Sequence, residues 1–195
     1  RIGPQGTLTV RVGRQELHYG AGRMIAAREG PNVRLGFDAV LGRYQHGPWR
    51  VDAFAAKPNE TAPGVLDNGW LTGRTLWGLY LSKRAGREGL WFYYVGTDRS
   101  PSPTARGLEA TRHTIGARMY GASGALTYDL EGAVQFGDYR RVSSPAGSRI
   151  SRRDRVHAST FAGRLSYRFD AMPGLPVVGM RASWSSGNDE NTRAH

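Results

Sequence analysis

The stretch TRHTIGARMYGASGALTYDLEGAVQFG, residues 111–137, decides how the rest of the chain is interpreted. It holds two segments of alternating polar and apolar residues around a Ser-Gly pair, which is typical of a β-hairpin. A turn at 123–124 predicts a register in which Arg118 lies opposite Asp129, with Glu131 on the diagonal. The charged residues share one face and the apolar residues the other, so the charged side does not belong in an apolar core.

The same alternation recurs along the chain in segments of about ten residues, and helical periodicity is almost absent. Two of these segments predict a second hairpin, in which Phe37, Ala39 and Leu41 share an apolar face with Trp49 and Val51. The segments at 74–84 and 88–97 are apolar on both faces, so their orientation is not predicted. We predict nine strands, at 7–17, 33–44, 48–57, 74–84, 88–97, 111–121, 125–137, 156–169 and 176–186.

The connections between these strands alternate in length. The short ones fall at 45–47, 85–87, 123–124 and 170–175, and the long ones at 18–32, 58–73, 98–110 and 138–155. Outer-membrane barrels have short periplasmic turns and long outer loops, and strands of about 9–11 residues cross a bilayer at a tilt. The pattern therefore predicts an antiparallel, up-and-down transmembrane β-barrel with an apolar outside and a polar inside.

Aromatic residues cluster near the short connections. In a membrane barrel this position corresponds to the interfacial girdle, where amphipathic rings sit at the lipid headgroups. The alternative is the ordinary enrichment of aromatic residues in strands. The girdle hypothesis concerns Tyr44, Trp49, Trp91, Tyr120, Tyr128, Tyr167 and Phe169.

Composition points to an anionic partner. The formal net charge is +11, and all but Lys57 and Lys83 of the 27 basic residues are arginine, whose planar fork of donors binds carboxylates and phosphates. The chain has no cysteine, which excludes disulfides and thiol chemistry. A mean hydropathy of −0.50 does not argue against a membrane barrel, because alternating faces cancel in an average.

Several blocks of the sequence resemble the alginate export family of bacterial outer-membrane barrels. They are VRVGRQELHYGAGRMIAAREGPNVRLGFDAV, WRVDAFAAKPNETAPGVLDNG, LWGLYLS, RHTIGARMYG and YDLEGAVQFG, which together cover most of the chain. The resemblance implies an 18-stranded barrel in the bacterial outer membrane, with a basic lumen that passes an anionic polysaccharide. A bacterial barrel needs an even strand number and no open edge in lipid. We therefore expect residues 1–195 to be a single β-barrel domain that is incomplete, about half of the barrel.

The predicted function is an outer-membrane channel or porin without a cofactor, a metal or catalysis. Its expected partners are membrane lipid, lipopolysaccharide, an anionic polysaccharide such as alginate or small anions, and periplasmic secretion partners, but not nucleic acid. The predicted lumen-facing residues are Arg11, Arg34, Arg50, Arg112, Arg118, Arg164, Arg168, Arg181, Asp38, Asp52, Asp129 and Glu131. Fixed guanidinium groups would pass an anion by weak, repeated binding, while any one of them can equally be a structural member of the barrel wall.

The first long connection carries a polar motif that belongs to the family-like sequence. Its residues would shape the outer mouth or fold a loop inward, and the alternative is a loop anchored by salt bridges. The motif residues are Arg14, Gln15, Arg28, Glu29 and Asn32.

Two other function classes remain open from sequence alone. An outer-membrane barrel enzyme would need a histidine beside a serine or an acid, and none of His18, His46, His113, His157 and His195 has such a partner at strand spacing. A soluble basic β-protein that binds an acidic polymer such as nucleic acid would need aromatic rings beside the arginines. Most aromatic residues are instead predicted on the opposite, apolar face.

Overall fold

The computed structural model describes residues 6–26, 35–59, 73–100, 108–143 and 150–187, and nine β-strands contain most of them. The strands are β1 (Gly6–Gln15), β2 (Phe37–His46), β3 (Trp49–Pro58), β4 (Arg74–Ala85), β5 (Glu88–Arg99), β6 (Leu108–Ser123), β7 (Leu126–Ser143), β8 (Ile150–Arg168) and β9 (Val177–Ser185).

All nine strands form one antiparallel sheet in which each strand pairs with its neighbours in sequence, in the order β1 to β9. The prediction of an all-β, up-and-down antiparallel sheet is therefore confirmed. Within the described residues the sheet is open, with β1 and β9 as its edges. No helix in the described ranges is long and apolar enough to cross a membrane.

Strands β6 to β8 are longer than the sequence predicted, since β7 continues to Ser143 and β8 begins at Ile150. Their extra residues are rich in arginine and lack the polar-apolar alternation that marks a half-buried strand. The ladder nevertheless continues there, with Arg140 opposite Arg153, and Tyr139 packs with Ala110 and Val156 in a small buried cluster. Such an extension carries no periodic signal in the sequence.

Three short turns have the same local design. Glycine occupies the first of the two turn positions with a positive φ, at Gly47 (55°), Gly86 (57°) and Gly124 (57°). A type II′ hairpin turn requires this arrangement, because its first central residue lies in a region that favours glycine. The turn between β6 and β7 is therefore Gly124-Ala125 rather than Ser123-Gly124.

This turn shifts the β6–β7 register by two residues from the predicted one. Arg118 lies opposite Glu131, and Asp129 is on the diagonal. Because side chains alternate with a period of two, a shift of two leaves every residue on its predicted face. Arg118, Asp129 and Glu131 thus share one face, while Ile115 and Met119 lie on the other.

Cross-strand partners and the two-residue alternation assign every strand residue to one of two faces. We call the first the charged face, which carries Arg11, Asp52, Arg118, Glu131 and Arg164. The second is the apolar face, whose large side chains are exposed. It carries Leu8, Val10, Val12, Val40, Leu79, Phe92, Ile115, Met119, Val134, Phe136, Phe161, Met180 and Trp184.

The predicted faces of β2 were wrong. Phe37, Ala39 and Leu41 pair with Pro58, Ala56 and Phe54 and lie on the charged face with Asp52. The prediction assumed a three-residue connection, whereas the actual turn is Gly47-Pro48. Changing the connection by one residue reverses the face of one strand relative to the other. Asp38 consequently lies on the apolar side, opposite Lys57, and not beside Asp52.

The orientation of β4 and β5 follows from the same pairing. Tyr80 and Tyr93 are direct partners on the charged face, whereas Leu79 and Tyr94 are partners on the apolar face. Both faces of β4 and β5 carry large rings because residues 16–26 fold back over the charged face there. The apolar core of the described chain lies under this segment.

Candidate functional site

The segment of residues 16–26, which we call the docked loop, packs onto the charged face through an aromatic stack. The Tyr19 ring lies 4.1 Å from the Tyr80 ring and 5.3 Å from the Phe54 ring, measured between centroids. Tyr80 in turn stacks on Tyr93 at 5.1 Å. Leu17 and Tyr19 are only 2% and 4% exposed. The docked loop is therefore held by buried rings rather than lying free above the sheet.

Burial also fixes the protonation state of the stack. It raises the pKa of the Tyr19 phenol well above its ordinary value, and the nearby Asp52 carboxylate adds in the same direction. The phenol oxygen is buried and accepts or donates no hydrogen bond among the described residues. Tyr19 is thus a neutral ring under all physiological conditions.

A glycine makes room for the neighbouring ring. A Cβ at Gly116, which lies opposite Tyr93, would come within 2.3 Å of the Tyr93 ring carbon Cζ. The ring therefore lies flat over the bare backbone of β6. The absence of a side chain at this position is what lets Tyr93 reach Glu131.

Glu131 ties the docked loop to β7. Its carboxylate accepts a hydrogen bond from the Tyr93 hydroxyl at 2.9 Å and pairs with the Arg23 guanidinium from the loop. Only 7% of Glu131 is exposed, so both partners are needed to compensate the loss of water around the charge. The acid directly opposite Arg118 is thereby occupied by other groups.

Arg118 pairs instead with Asp129 across the diagonal. Its Nε and Nη2 donate to the two carboxylate oxygens at 2.8 and 2.9 Å, a bidentate geometry. The same guanidinium lies over the Tyr120 ring, 4.6 Å from its centroid. Arg118 is consequently fixed in one orientation, with an acid on one side and a ring on the other.

Asp52 is the centre of a second ion-pair cluster. It is fully buried, and it accepts bidentate hydrogen bonds at 2.9 and 2.7 Å from Arg43, its direct partner on β2. Arg50, two residues earlier on the same strand, adds an ion pair at 3.3 Å. The Arg50 guanidinium also lies 5.7 Å from the centroid of the Trp91 ring. One buried carboxylate thus positions two arginines.

The structure brings most of the predicted lumen-facing residues onto the charged face, which also carries Arg43, Arg74, Arg84 and Arg99. Asp38 lies on the other side, and Arg34 is outside the described residues. The predicted residues on the charged face are Arg11, Arg50, Arg112, Arg118, Arg164, Arg168, Arg181, Asp52, Asp129 and Glu131.

These arginines fall into two classes. Arg43, Arg50 and Arg118 are held by acids, as described above. For Arg11 and Arg181, no ion pair or hydrogen bond is found among the described residues. Arg164 lies between Asp129 on β7 and Arg181 on β9, and the Asp129 carboxylate is bound by Arg118 rather than by Arg164. Arg168 is exposed and pairs with Asp170 in the following turn, and this contact lowers the pKa of that carboxyl.

The polar motif of the first long connection anchors the end of β1. Arg14 donates to both oxygens of Asp38 at 3.1 and 3.2 Å, and Gln15 Nε2 donates to the Ala39 carbonyl at 3.0 Å. The Asn59 amide, oriented to donate to Asp38 and accept from Arg14, completes the cluster. The contacts of Arg14 and Gln15 fit the alternative stated above, a connection that is anchored by salt bridges rather than folded into the outer mouth. Arg28, Glu29 and Asn32 lie outside the described residues.

Aromatic rings border the apolar face at both ends. Tyr44, Trp49, Tyr128 and Tyr167 lie near the short turns, as predicted. A second row near the long connections was missed. It consists of Trp77, Tyr94, His113 and Phe136, joined by a 2.8 Å hydrogen bond between the Tyr94 hydroxyl and His113 Nδ1 and by stacking of His113 on Phe136.

The girdle prediction fails for two residues. Trp91 is opposite Arg118, and Tyr120 is opposite Gly89 and Asp129, so both lie on the charged face. Both residues are close to a short turn in the sequence, but proximity to a turn does not determine which face of the sheet a side chain occupies. The alternation within β6 places Tyr120 on the same face as Arg118, whereas β5 has no polar-apolar alternation that would assign Trp91.

Sequence reasoning also missed Tyr19 and Arg23, because the docked loop has no periodicity from which contacts can be predicted. Arg43 was missed since the face of β2 was reversed. Among the described residues, no group of three or more His, Asp or Glu side chains is arranged to hold a metal ion.

Comparison with known proteins agrees with the resemblance noted in the sequence. The family model described as alginate export matches residues 1–195. No curated protein and no solved structure matches the chain. The matched family is a transport family and not an enzyme family. The chain belongs to the alginate export family.

Proposed function

We propose that this chain forms part of the wall of a bacterial outer-membrane channel, and that anionic solutes or an anionic polysaccharide such as alginate pass along its charged face. The observation that carries the proposal is the strand register. It gathers arginines on one face of a nine-stranded sheet and exposed apolar side chains on the other. A water-soluble sheet would have the reverse arrangement, with the apolar face covered.

The apolar face is suited to lipid. Val10 and Val12 on β1 are 62% and 75% exposed, and Ile115 and Val134 are direct partners in the middle of the sheet. A continuous exposed apolar surface of this extent is unfavourable in water. The aromatic rows at its two ends match the interfacial girdles of membrane barrels. Membrane lipid and lipopolysaccharide are therefore the proposed partners of this face.

An open edge is not tolerated in a bilayer, so β1 and β9 require further strands. The family resemblance suggests closure as an 18-stranded barrel. The short turns would then face the periplasm, where secretion partners would meet the channel, and the long connections would face the outside.

Within such a lumen, the two classes of arginine would have different roles. Arg43, Arg50 and Arg118 are held by buried or half-buried acids, so they would set a fixed positive potential. Arg11 and Arg181 make no ion pair within the described residues. Arg164 lies opposite Asp129, but that carboxylate is held by Arg118, so all three arginines would exchange contacts with a passing anion. Conduction requires binding sites that are numerous and weak enough to release the solute.

The test is the reversal potential of the full-length protein in a planar bilayer with a salt gradient. The proposal predicts anion selectivity, and it predicts that replacing Arg11, Arg164 and Arg181 with Met moves the reversal potential toward zero. The control replaces three cations of the apolar side, Lys57, Lys83 and Arg155, and should leave selectivity unchanged. Equal permeability of the wild-type channel to anions and cations contradicts the proposal.

A further inference from the structure

The row of rings near the long connections, which we call the outer row, crosses four neighbouring strands on the apolar face. The Trp77 indole lies flat over the backbone of β5, since a Cβ at its partner Gly96 would come within 2.2 Å of the ring. The indole Nε1 lies 3.4 Å from the Tyr94 hydroxyl, which lies 2.8 Å from His113 Nδ1, and His113 stacks on Phe136. The polar atoms of the row thus bond to one another, so the row offers a neighbouring molecule mainly ring surface.

An exposed apolar surface lies between the outer row and the middle of the sheet. It includes one large side chain from each of β5 to β8, namely Phe92, Ile115, Val134 and Phe161, which are between 43% and 52% exposed. Neighbouring strands lie about 4.8 Å apart, so four strands span roughly 15 Å. This width accommodates several acyl chains side by side.

Cations follow beyond the outer row, on the same side of β7 and β8. Phe136 and His157 are direct partners at the level of the row, Arg155 lies two residues further along β8, and Arg140 lies four residues further along β7. Both arginines are exposed. At the other end, near the short turns, the apolar side of β6 to β8 carries no cation among the described residues. The surface therefore changes from apolar through aromatic to cationic in one direction only, which matches an amphiphile with an anionic head.

The height of these arginines distinguishes two kinds of lipid. An antiparallel strand rises about 3.4 Å per residue and a barrel strand tilts by about 40°, so Arg155 lies about 5 Å and Arg140 about 10 Å above the outer row. The headgroup layer of an ordinary bilayer is only about 5–8 Å thick on each side. Arg140 therefore lies above the phosphates of phospholipids, but within reach of a head that is built from phosphorylated sugars.

Two acids lie on the same side of the sheet, next to these arginines. Asp138 is the direct partner of Arg155, and Glu109 is the direct partner of Arg140. The contact between Arg140 and Glu109 is a single ion pair at 3.6 Å, and the two side chains are 46% and 50% exposed. Exposed ion pairs of this kind contribute little to stability. A phosphate, which accepts paired hydrogen bonds from a guanidinium group, can replace such a contact.

We propose that this surface binds one glycolipid of the lipopolysaccharide type. Its phosphorylated sugars would lie at Arg140 and Arg155, the junction of sugars and acyl chains on the outer row, and the acyl chains over the apolar side of β5 to β8. The inference rests on the proposed membrane position of the apolar face and adds a defined site to it. A phospholipid would cover the apolar part of this surface but would not reach both arginines.

The experiment is native mass spectrometry of the full-length protein in detergent, titrated with bisphosphorylated lipid A, the acylated anchor of lipopolysaccharide. Lipid A should bind at least about tenfold more tightly than phosphatidylglycerol, which carries a single phosphate. The double variant Arg140→Met, Arg155→Met should weaken lipid A binding about tenfold or more, because each arginine near an anionic lipid head contributes about a factor of five. Both side chains are exposed, so the variant should fold like the wild type.

The matched control is Lys83→Met, which removes a cation of the apolar side at the short-turn end, where it lies over the Trp49 ring. It should bind lipid A like the wild type. Equal binding of lipid A and phosphatidylglycerol, or equal weakening by Lys83→Met and the double variant, overturns the proposal. A dimer that dissociates in the double variant also overturns it, because a second copy of the chain would then occupy the surface. Anion selectivity should be unchanged in the double variant, so a failure of lipid A binding leaves the channel proposal standing.

Discussion

Replacing Tyr19 with alanine should release the docked loop from the sheet. Tyr19 is 4% exposed and stacks on both Phe54 and Tyr80, so the substitution removes the central ring of the stack. An aromatic side chain buries about 150–250 Å², which at about 25 cal/mol per Å² corresponds to roughly 4–6 kcal/mol. Core Phe→Ala substitutions cost about 3–5 kcal/mol. We take about 3 kcal/mol as the docking free energy that Tyr19→Ala removes, because the undocked loop still covers part of its own apolar surface.

This free energy predicts the change in loop opening. Each 1.4 kcal/mol is a factor of ten in an equilibrium constant, so the undocked fraction should rise roughly a hundredfold. The assay is limited trypsin digestion of the folded protein in detergent, following cleavage after Arg23 by mass spectrometry. Arg23 is held against Glu131 in the docked state, so cleavage reports the opening of the loop.

Tyr19→Phe is the matched control for the alanine variant. It keeps the ring and removes a hydroxyl that has no hydrogen-bond partner among the described residues, so the loop should stay docked or dock more firmly. An unchanged cleavage rate in Tyr19→Ala would refute the reasoning. So would a Tyr19→Phe variant cleaved as fast as Tyr19→Ala, because the ring stack would then not be what holds the loop.

Two further predictions concern the same contacts. Gly116→Ala places a Cβ 2.3 Å from the Tyr93 ring and should lower stability by about 1–3 kcal/mol through overpacking. Gly132→Ala, whose nearest neighbour is 3.9 Å away, should change the urea midpoint of unfolding much less. Loop docking should be constant from about pH 7 to about pH 10 and weaken above pH 10. Burial raises the pKa of Tyr19 in the docked state, so ionisation of the phenol at its ordinary pKa favours the undocked loop. A spin label on Met24→Cys reports this as increased mobility, and a transition near neutral pH would contradict the assignment.

The separation into two faces was predictable wherever the polar-apolar alternation was unbroken. In β6 and β7 the alternation assigned Arg118, Asp129 and Ile115 to the correct sides, although the register was wrong by two residues. The error came from placing the turn at Ser123-Gly124, because the requirement for a positive φ at the first turn position was not applied. A shift of two changes which residues pair but not which face they occupy.

An error of one residue had a larger effect in β2. Counting three residues in the β2–β3 connection reversed the face of Phe37 and Asp38, and with it the role expected for Asp38. The sequences of β4 and β5 did not show which of their faces is the charged one, because large apolar residues occur on both faces. Tyr80 and Tyr93 lie on the charged face, and Leu79 and Tyr94 lie on the other. On the charged face, these two strands carry apolar rings because the docked loop covers them there. A contact between segments so far apart in the chain cannot be predicted from local sequence patterns.

The account depends most directly on which side of the sheet meets lipid, and spin labels along β6 measure this. The 195 residues contain no cysteine, so single cysteines can be introduced at positions 112–120 and labelled one at a time in lipid bilayers, in a full-length protein from which any cysteine outside these residues has been replaced. Collision with oxygen, which concentrates in lipid, should alternate with a period of two and be highest at His113, Ile115, Ala117 and Met119. An alternation in the opposite phase, with maxima at Arg112 and Arg118, would contradict the account.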